Sequence, residues 1–149
     1  MQIRPLLPDE MEPCRSLVRS VFDRFEAPDY SREGAASFYA FLDSVPEQFS
    51  SGALKIRAAL REDRLIGVLA MRDGRHICLL FVDPSFHRQG IARALVQTAA
   101  DFARENGQKQ LTVNSSPYAV PVYHRLGFSD LSAEQTADGI RFAPMRCLL

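Results

Sequence analysis

The chain has no tryptophan, and its three cysteines, Cys14, Cys78 and Cys147, are odd in number and far apart. No CxxC or Cys/His cluster is present that could close a tetrahedral zinc site, so we expect no metal; unpaired thiols of this kind suit a reducing cytoplasm. Excess charge of one sign is also missing, since 18 Lys+Arg stand against 18 Asp+Glu. That balance gives no global field to draw the chain onto nucleic acid or an anionic membrane, and neither is expected as a partner. The start, Met1-Gln2-Ile3-Arg4-Pro5, lacks a continuous apolar h-region, and no later run approaches the ~20 apolar residues of a membrane span. Low-complexity stretches, linkers and internal repeats are absent too. What is there is 149 residues, 46% of them hydrophobic, read as one domain over 1–149. A chain of this size buries roughly 70% of its unfolded surface around one core. Any anionic ligand must therefore be held by local geometry.

Gln2 to Leu6 reads as a short strand. Pro8-Asp9 opens a helix with Asp9 as cap and Glu12 three residues on, and Met11, Leu17, Val18, Val21, Phe22 and Phe25 give it one apolar face. Ser31 caps a second helix whose stripe is Ala35, Phe38, Phe41, Leu42 and Val45, with Pro46 as its expected stop. Between them Glu26-Ala27-Pro28-Asp29-Tyr30 reads as a solvated connection. From Leu54 the period changes to two. Leu54, Ile56, Ala58 and Leu60 alternate with Lys55, Arg57, Ala59 and Arg61, a second strand returns from Leu65 to Met71, and Asp73-Gly74 signals a hairpin into His76–Val82. This last run is almost continuously apolar, as befits a strand covered on both faces. A helix from about Gly90 to Asn106 with Gly107 as its stop, and a strand Leu111–Asn114, complete a right-handed βαβ unit. Tyr118–Leu126 reads as a short helix, and Phe128 onward and Ile140–Leu148 as two last strands. The fold class is α+β, a mixed sheet flanked by helices.

The most informative segment is Phe81-Val82-Asp83-Pro84-Ser85-Phe86-His87-Arg88-Gln89-Gly90-Ile91-Ala92. A buried strand runs through a short loop into a helix whose first turn has Gly90 and Ala92 where larger side chains would obstruct a ligand. Free amides and the macrodipole at such a helix start favour an anion such as a pyrophosphate, and Arg88 and Arg93 add positive charge. Neither GxxxxGK[ST] nor GxGxxG occurs, so other phosphate loops fit badly. On spacing alone, an ordinary helix start explains the segment as well as an anion site does.

Here the sequence resembles the GNAT superfamily of acyl-CoA-dependent N-acetyltransferases. His87-Arg88-Gln89-Gly90-Ile91-Ala92 matches that family's Gln/Arg-x-x-Gly-x-Gly/Ala pyrophosphate loop except for His at the first position. Val113-Asn114-Ser115, followed by Val122-Tyr123-His124-Arg125-Leu126-Gly127-Phe128, is similar to its late Asn-bearing strand and Tyr-x-x-Leu-Gly-Phe element. The resemblance covers nearly the whole chain.

It implies a mostly antiparallel sheet of six to seven strands flanked by about four helices and splayed at an acyl-CoA cleft, between the strand ending near Val82 and Leu111–Asn114. Acetyl-CoA would lie with its pantetheine along Phe81, Val82 and Asp83 and its phosphates on His87, Arg88, Gln89, Gly90, Ile91, Ala92 and Arg93. A neutral amine would attack directly, with no metal and no covalent enzyme intermediate, and an amide near Val82 would meet the oxyanion. Tyr123 matches the family's general acid, packing against Leu126 being its ordinary alternative. Counting from the loop, His76 falls where the histone acetyltransferase branch has its base, although a hairpin-end histidine facing solvent fits equally well. Cys78 invites a covalent route through a thiolate, but a buried structural cysteine is the better reading. Asn114 is assigned a binding role. Glu26, Asp29 and Tyr30, with Glu33 nearby, border the expected acceptor site for a small-molecule amine or a peptide or protein amine. A homodimer is compatible with this, and a non-catalytic acyl-CoA-binding or sensing module is the rival function.

Overall fold

The computed structural model describes all residues from Met1 to Leu149. Its centre is set by two tight turns in which non-glycine residues adopt positive φ. Glu62 and Asp63 (φ 52° and 63°) join β2 (Lys55–Arg61) to β3 (Arg64–Arg72), and Asp73 and Gly74 (56° and 68°) lead from β3 toward β4 (His76–Val82). Positive φ at both central residues matches the twist of paired antiparallel strands. With β1 (Gln2–Pro5) on the outer edge, β5 (Gln110–Ser115), β6 (Ser129–Asp130), β7 (Gln135–Ala137) and β8 (Ile140–Leu148), the sheet has eight strands, one or two more than expected. Its order is β1-β2-β3-β4-β5-β8-β6, with β7 also on β8. Every pairing is antiparallel except β4–β5.

The apolar run of β4 is covered on both sides. On one face lies α3 (Ile91–Glu105), whose Leu95, Ala99 and Ala103 share a cluster with Ile77 and Leu111. On the other lie α1 (Met11–Val21) and α2 (Arg32–Ser51), whose Val18 and Val45 cluster with Leu79, Phe81 and the fully buried Phe22. Ile77 and Leu79 are two residues apart yet belong to opposite faces. The register explains it: Met71 pairs with Ile77 and Ala70 with Leu79, which leaves Cys78 as the extra residue of a β-bulge. The added twist of a bulged strand turns the second half of β4 away from β5. Only His76 with Thr112 and Ile77 with Val113 pair across these two strands, while β5 keeps its partner β8 as far as Ser115 with Ala143. The result is a V between β4 and β5.

Several local expectations change. α1 is anchored by Glu10 rather than by Asp9 and Glu12. The Glu10 carboxylate accepts from the Leu7 amide at 2.8 Å and pairs with Arg4 at 2.8 and 2.9 Å, so Pro8–Glu10 forms a 3-10 turn before α1 begins. The stretch Glu26–Tyr30 is wound: a π-helical turn, Phe22–Glu26, is followed by a 3-10 turn, Ala27–Asp29. Ser31 does cap α2, its Oγ accepting from the Gly34 amide at 3.0 Å. Pro46 does not end that helix, which runs on to Ser51 and stops at Gly52 with φ 85°. An interior proline costs about 3 kcal/mol, and burying Leu42 and Val45 beside it, at roughly 1.5–3 kcal/mol each, outweighs that. α4 (Val120–Arg125) follows a 3-10 turn at Pro117–Ala119. No helix is long and apolar enough to cross a membrane.

Candidate active site

Arg88 (φ 62°) and Gly90 (φ 81°) both adopt the left-handed conformation as the loop enters α3. A Cβ on Gly90 would meet nothing within 4 Å, so glycine serves the backbone turn and the space above it is open. The first helical bond here runs from the Ala94 amide to the Gly90 carbonyl at 3.0 Å, which leaves the amides of Ile91, Ala92 and Arg93 without an intrahelical acceptor. His87, the departure from the family motif, donates from Nε2 to the Val82 carbonyl at 2.8 Å and fastens the loop to the end of β4. Arg93 donates to the Arg125 carbonyl at 3.0 Å and ties α3 to the last turn of α4. Two side chains of this segment, whose backbone was the part expected to meet the ligand, are turned elsewhere. The Asp83 carboxylate accepts from the Ser85 amide and from Arg64, both at 2.9 Å, and Gln89 Oε1 accepts from Arg61 at 2.8 Å. These bonds brace the loop from outside the cleft.

The open edge of β4 follows from its pairing. Val82 stands opposite Gly67, and the Asp83 amide donates to the Ile66 carbonyl at 2.8 Å. Strand alternation then directs the amides and carbonyls of Val82 and Leu80 toward the side where β5 has diverged, and of these the Val82 carbonyl is taken by His87. An extended amide-bearing ligand can pair there, and an amide at this edge can meet developing negative charge.

Two cavities flank this edge. One, of about 490 Å³, lies on the α2 side and is walled by Tyr30, Phe38, Phe41 and Phe142, with Arg72 and His76 along it. The other, of about 450 Å³, lies on the α3 side and includes Val82, His87, Arg88, Gly90, Ala92 and Arg93. Five residues line both: Glu26, Leu80, Phe81, Ala119 and Tyr123. Of the other residues singled out in the sequence, Tyr30, His76, Cys78 and Asn114 line only the first cavity. Asp29 is exposed and lines neither.

A sequence model of the family described as the Acetyltransferase (GNAT) domain matches residues 26–149. The chain belongs to the GNAT acetyltransferase family. Escherichia coli (strain K12) N-acetyltransferase YafP, itself described as uncharacterized, is 25% identical over 136 residues, 91% of this chain and 85% of that one. Human N-acetyltransferase 8 is 40% identical over 52 residues, 33% of this chain, and the chain spans only 23% of that protein's length. Among solved structures, a GCN5-related N-acetyltransferase from Rhodopseudomonas palustris superposes with a TM-score of 0.81 at 21% identity, covering 99% of this chain and 95% of the other. The PaiA N-acetyltransferase of Thermoplasma acidophilum, in complex with coenzyme A, gives 0.76 at 19% identity, covering 99% and 98%. The expected α+β fold and acyltransferase class are those of this GNAT enzyme.

Charge at the junction of the two GNAT cavities is unusual. Burial holds the Glu26 carboxyl above the ordinary carboxylate range, and a hydrogen bond from the Ser116 hydroxyl opposes this less strongly. Burial pushes the Tyr30 hydroxyl up to about 12 and that of Tyr123 further still, with the nearby Glu26 charge adding to both. Tyr123 is buried, its ring edge-on to Phe128 at 5.3 Å. His76 holds Thr112 Oγ1 through Nδ1 at 2.8 Å, and burial, then the Arg72 charge, lowers its pKa. Burial raises the Cys78 thiol, which disfavours a thiolate. Sequence reasoning passed over Ser116 and the β7–β8 turn, which roofs the α2-side cavity. Ser31 and Ser37 donate to the Gly139 and Asp138 carbonyls at 3.1 and 2.8 Å, and a Cβ on Gly34 would overlap the Gly139 carbonyl. The dipeptides Ser116-Pro117 and Asp138-Gly139 were the available signals.

Proposed function

We propose that this GNAT enzyme transfers an acetyl group from acetyl-CoA to a primary amine, directly and within a ternary complex. The observation that carries the reading is the meeting of two separate cavities at one short edge of β4 beside Tyr123. The α3-side cavity suits the donor, because three unpartnered amides at the start of α3 and the Arg88 guanidinium fit a pyrophosphate. Acetyl-CoA supplies the activated acetyl group and a thiolate leaving group. The Leu80 backbone groups and the Val82 amide on this edge align the donor, and an amide here stabilises charge on the carbonyl oxygen. Tyr123, kept protonated by burial, donates its proton to the departing sulfur. The α2-side cavity, with its phenylalanine walls and Glu26 at its inner end, receives the amine of a small molecule or of a peptide or protein. Asn114 lines that cavity and binds there by its amide.

The test joins calorimetry with an assay for released thiol. The chain should bind acetyl-CoA, and release coenzyme A only when an amine from a panel of small amines, lysine peptides and free N-termini is present. Gly90→Val should weaken acetyl-CoA binding at least about tenfold, by straining the φ of 81° and filling the open space. Tyr123→Phe should lower kcat by about 10²-fold with acetyl-CoA affinity unchanged. Unchanged turnover in Tyr123→Phe would mean that it is not the acid, and acetyl-CoA binding without turnover on any amine would favour a sensing module. A burst of coenzyme A without amine, abolished by Cys78→Ala, would replace direct transfer by a covalent route.

A further inference from the structure

Resting on the acetyl-transfer reading above, we infer that Glu26 is the general base that takes the proton from the acceptor's ammonium group, with Ser116 as the residue that positions its carboxylate. Glu26 is the only acid among the residues that line both cavities. It also stands where the fold would otherwise place a hydrophobe. Val18 and Phe22 are fully buried on the inner face of α1 and its π-helical turn, and Glu26 comes four residues after Phe22 on that stripe. No ion pair in the protein involves it, although Arg4, Arg15 and Arg64 all have carboxylate partners elsewhere. A largely buried carboxylate without a cation is costly, and an ammonium arriving in the α2-side cavity supplies what is missing. Ser116 completes the arrangement. Its Oγ accepts from the Ala119 amide at 3.3 Å, which leaves the hydroxyl proton for Glu26.

His76, the base expected from the family comparison, is badly placed for the same task. It lines only the α2-side cavity, and its Nδ1 is engaged by Thr112. It also lies five residues before Phe81, so roughly 15 Å along β4 from the junction. The groups that face Glu26 are Tyr30 from the following turn, Ser116 from the end of β5 and Tyr123 from α4. The other charged or titratable groups of the two cavities, His87, Arg88, Arg93, Tyr118 and Arg125 on one side and Arg72, His76, Cys78 and Asp138 on the other, are not among the influences on its protonation.

The proton inventory closes. Glu26 takes one proton from the ammonium, and the freed nitrogen lone pair forms the C–N bond to the acetyl carbon. As the C–S bond breaks, the sulfur leaves with its electron pair and takes the Tyr123 proton. Tyr123 recovers a proton from the nitrogen, which keeps one as the amide N–H, and Glu26 returns its proton to solvent through the α2-side cavity.

The experiment is the pH profile of kcat/KM for the amine at saturating acetyl-CoA. Wild type should show an acid limb above the ordinary carboxylate range. Glu26→Gln should lose about 10²–10⁴-fold in kcat/KM near neutral pH, flatten that limb and regain rate at high pH, where the free amine is already neutral. Glu26→Asp should keep the limb at reduced rate. Ser116→Ala should move the limb to higher pH, because the carboxylate loses the hydrogen bond that favours its charged form. Acetyl-CoA affinity by calorimetry should be unchanged in all three, which also shows that they fold. A limb retained in Glu26→Gln, or one lost in His76→Gln instead, would overturn the assignment while leaving acetyl transfer intact. No amine-dependent release of coenzyme A by wild type would overturn both.

Discussion

Glu26 and Glu10 respond to their surroundings with opposite sign. The Arg4 hydrogen bond, joined by the Leu7 amide, depresses the Glu10 carboxyl, so its contribution to stability is present above the unfolded pKa and is lost as pH falls through the folded one. Burial raises the Glu26 carboxyl, so the folded state prefers the protonated form and stability declines as pH rises from the unfolded to the folded pKa. Glu26→Gln should therefore raise Tm near pH 8, with the gain vanishing near pH 4, where the carboxyl is protonated in both states. Glu10→Gln should lower Tm near pH 7 and lose its effect in strong acid. Thermal scans across pH separate the two, and a Glu26→Gln variant that melts lower at pH 8 would show that the carboxylate is structurally useful. A residue that weakens the fold when ionised, at the meeting point of two cavities, is one retained for its chemistry.

At the scale of elements, the start of α2 and the β7–β8 turn act together as one wall of the α2-side cavity. Gly34→Ala forces its Cβ against the Gly139 carbonyl, and since both sides are backbone neither can swing away. We expect the KM for the amine to rise about tenfold or more while acetyl-CoA affinity is unchanged, together with a loss of roughly 1–3 kcal/mol of stability. Equal weakening of donor and acceptor binding would contradict the separate cavities. Elements differ in how far the sequence announced them. β2, β3 and β4 were plain from alternation and turn dipeptides, and the loop into α3 from its glycine and helix pattern. The strand expected from Phe128 onward is only two residues long as β6, and β7, three exposed residues, was too short for a period to register. Pro46 read as a helix stop because the rule is local, whereas burial of Leu42 and Val45 is tertiary. Asp83 and Gln89 sat within a motif expected to serve through its backbone, and that their side chains brace the loop depends on Arg64 and Arg61, which the motif does not include. The Val18, Phe22, Glu26 stripe was visible. Its meaning depended on the divergence of β4 and β5, and on a bulge at Cys78 that no short-range pattern marks.

For the whole molecule, the equality of 18 basic and 18 acidic residues shapes how a polyanionic donor is held. Amides at a helix start and two unpaired arginines along the cavity, Arg88 and Arg125, release few counterions when the donor binds. Raising salt from about 0.05 to about 0.5 M should therefore weaken acetyl-CoA affinity only a few-fold, far less than for a basic surface; a steep loss in calorimetry would point to a cationic rim. The two sides of the junction also differ in when they form. The donor side draws mostly on residues from Leu80 to Leu126, close together in the chain. The opposite wall is closed by the Ser31–Gly139 and Ser37–Asp138 bonds, which span 108 and 101 residues. Loops that long are expensive to close, and β7 brings no buried side chain to offset the cost. Amide hydrogen exchange should therefore be faster at Asp138 and Gly139 than in α3, and equal protection of the two would contradict this. Chain order thus predicts unequal stability on the two sides of one reaction centre.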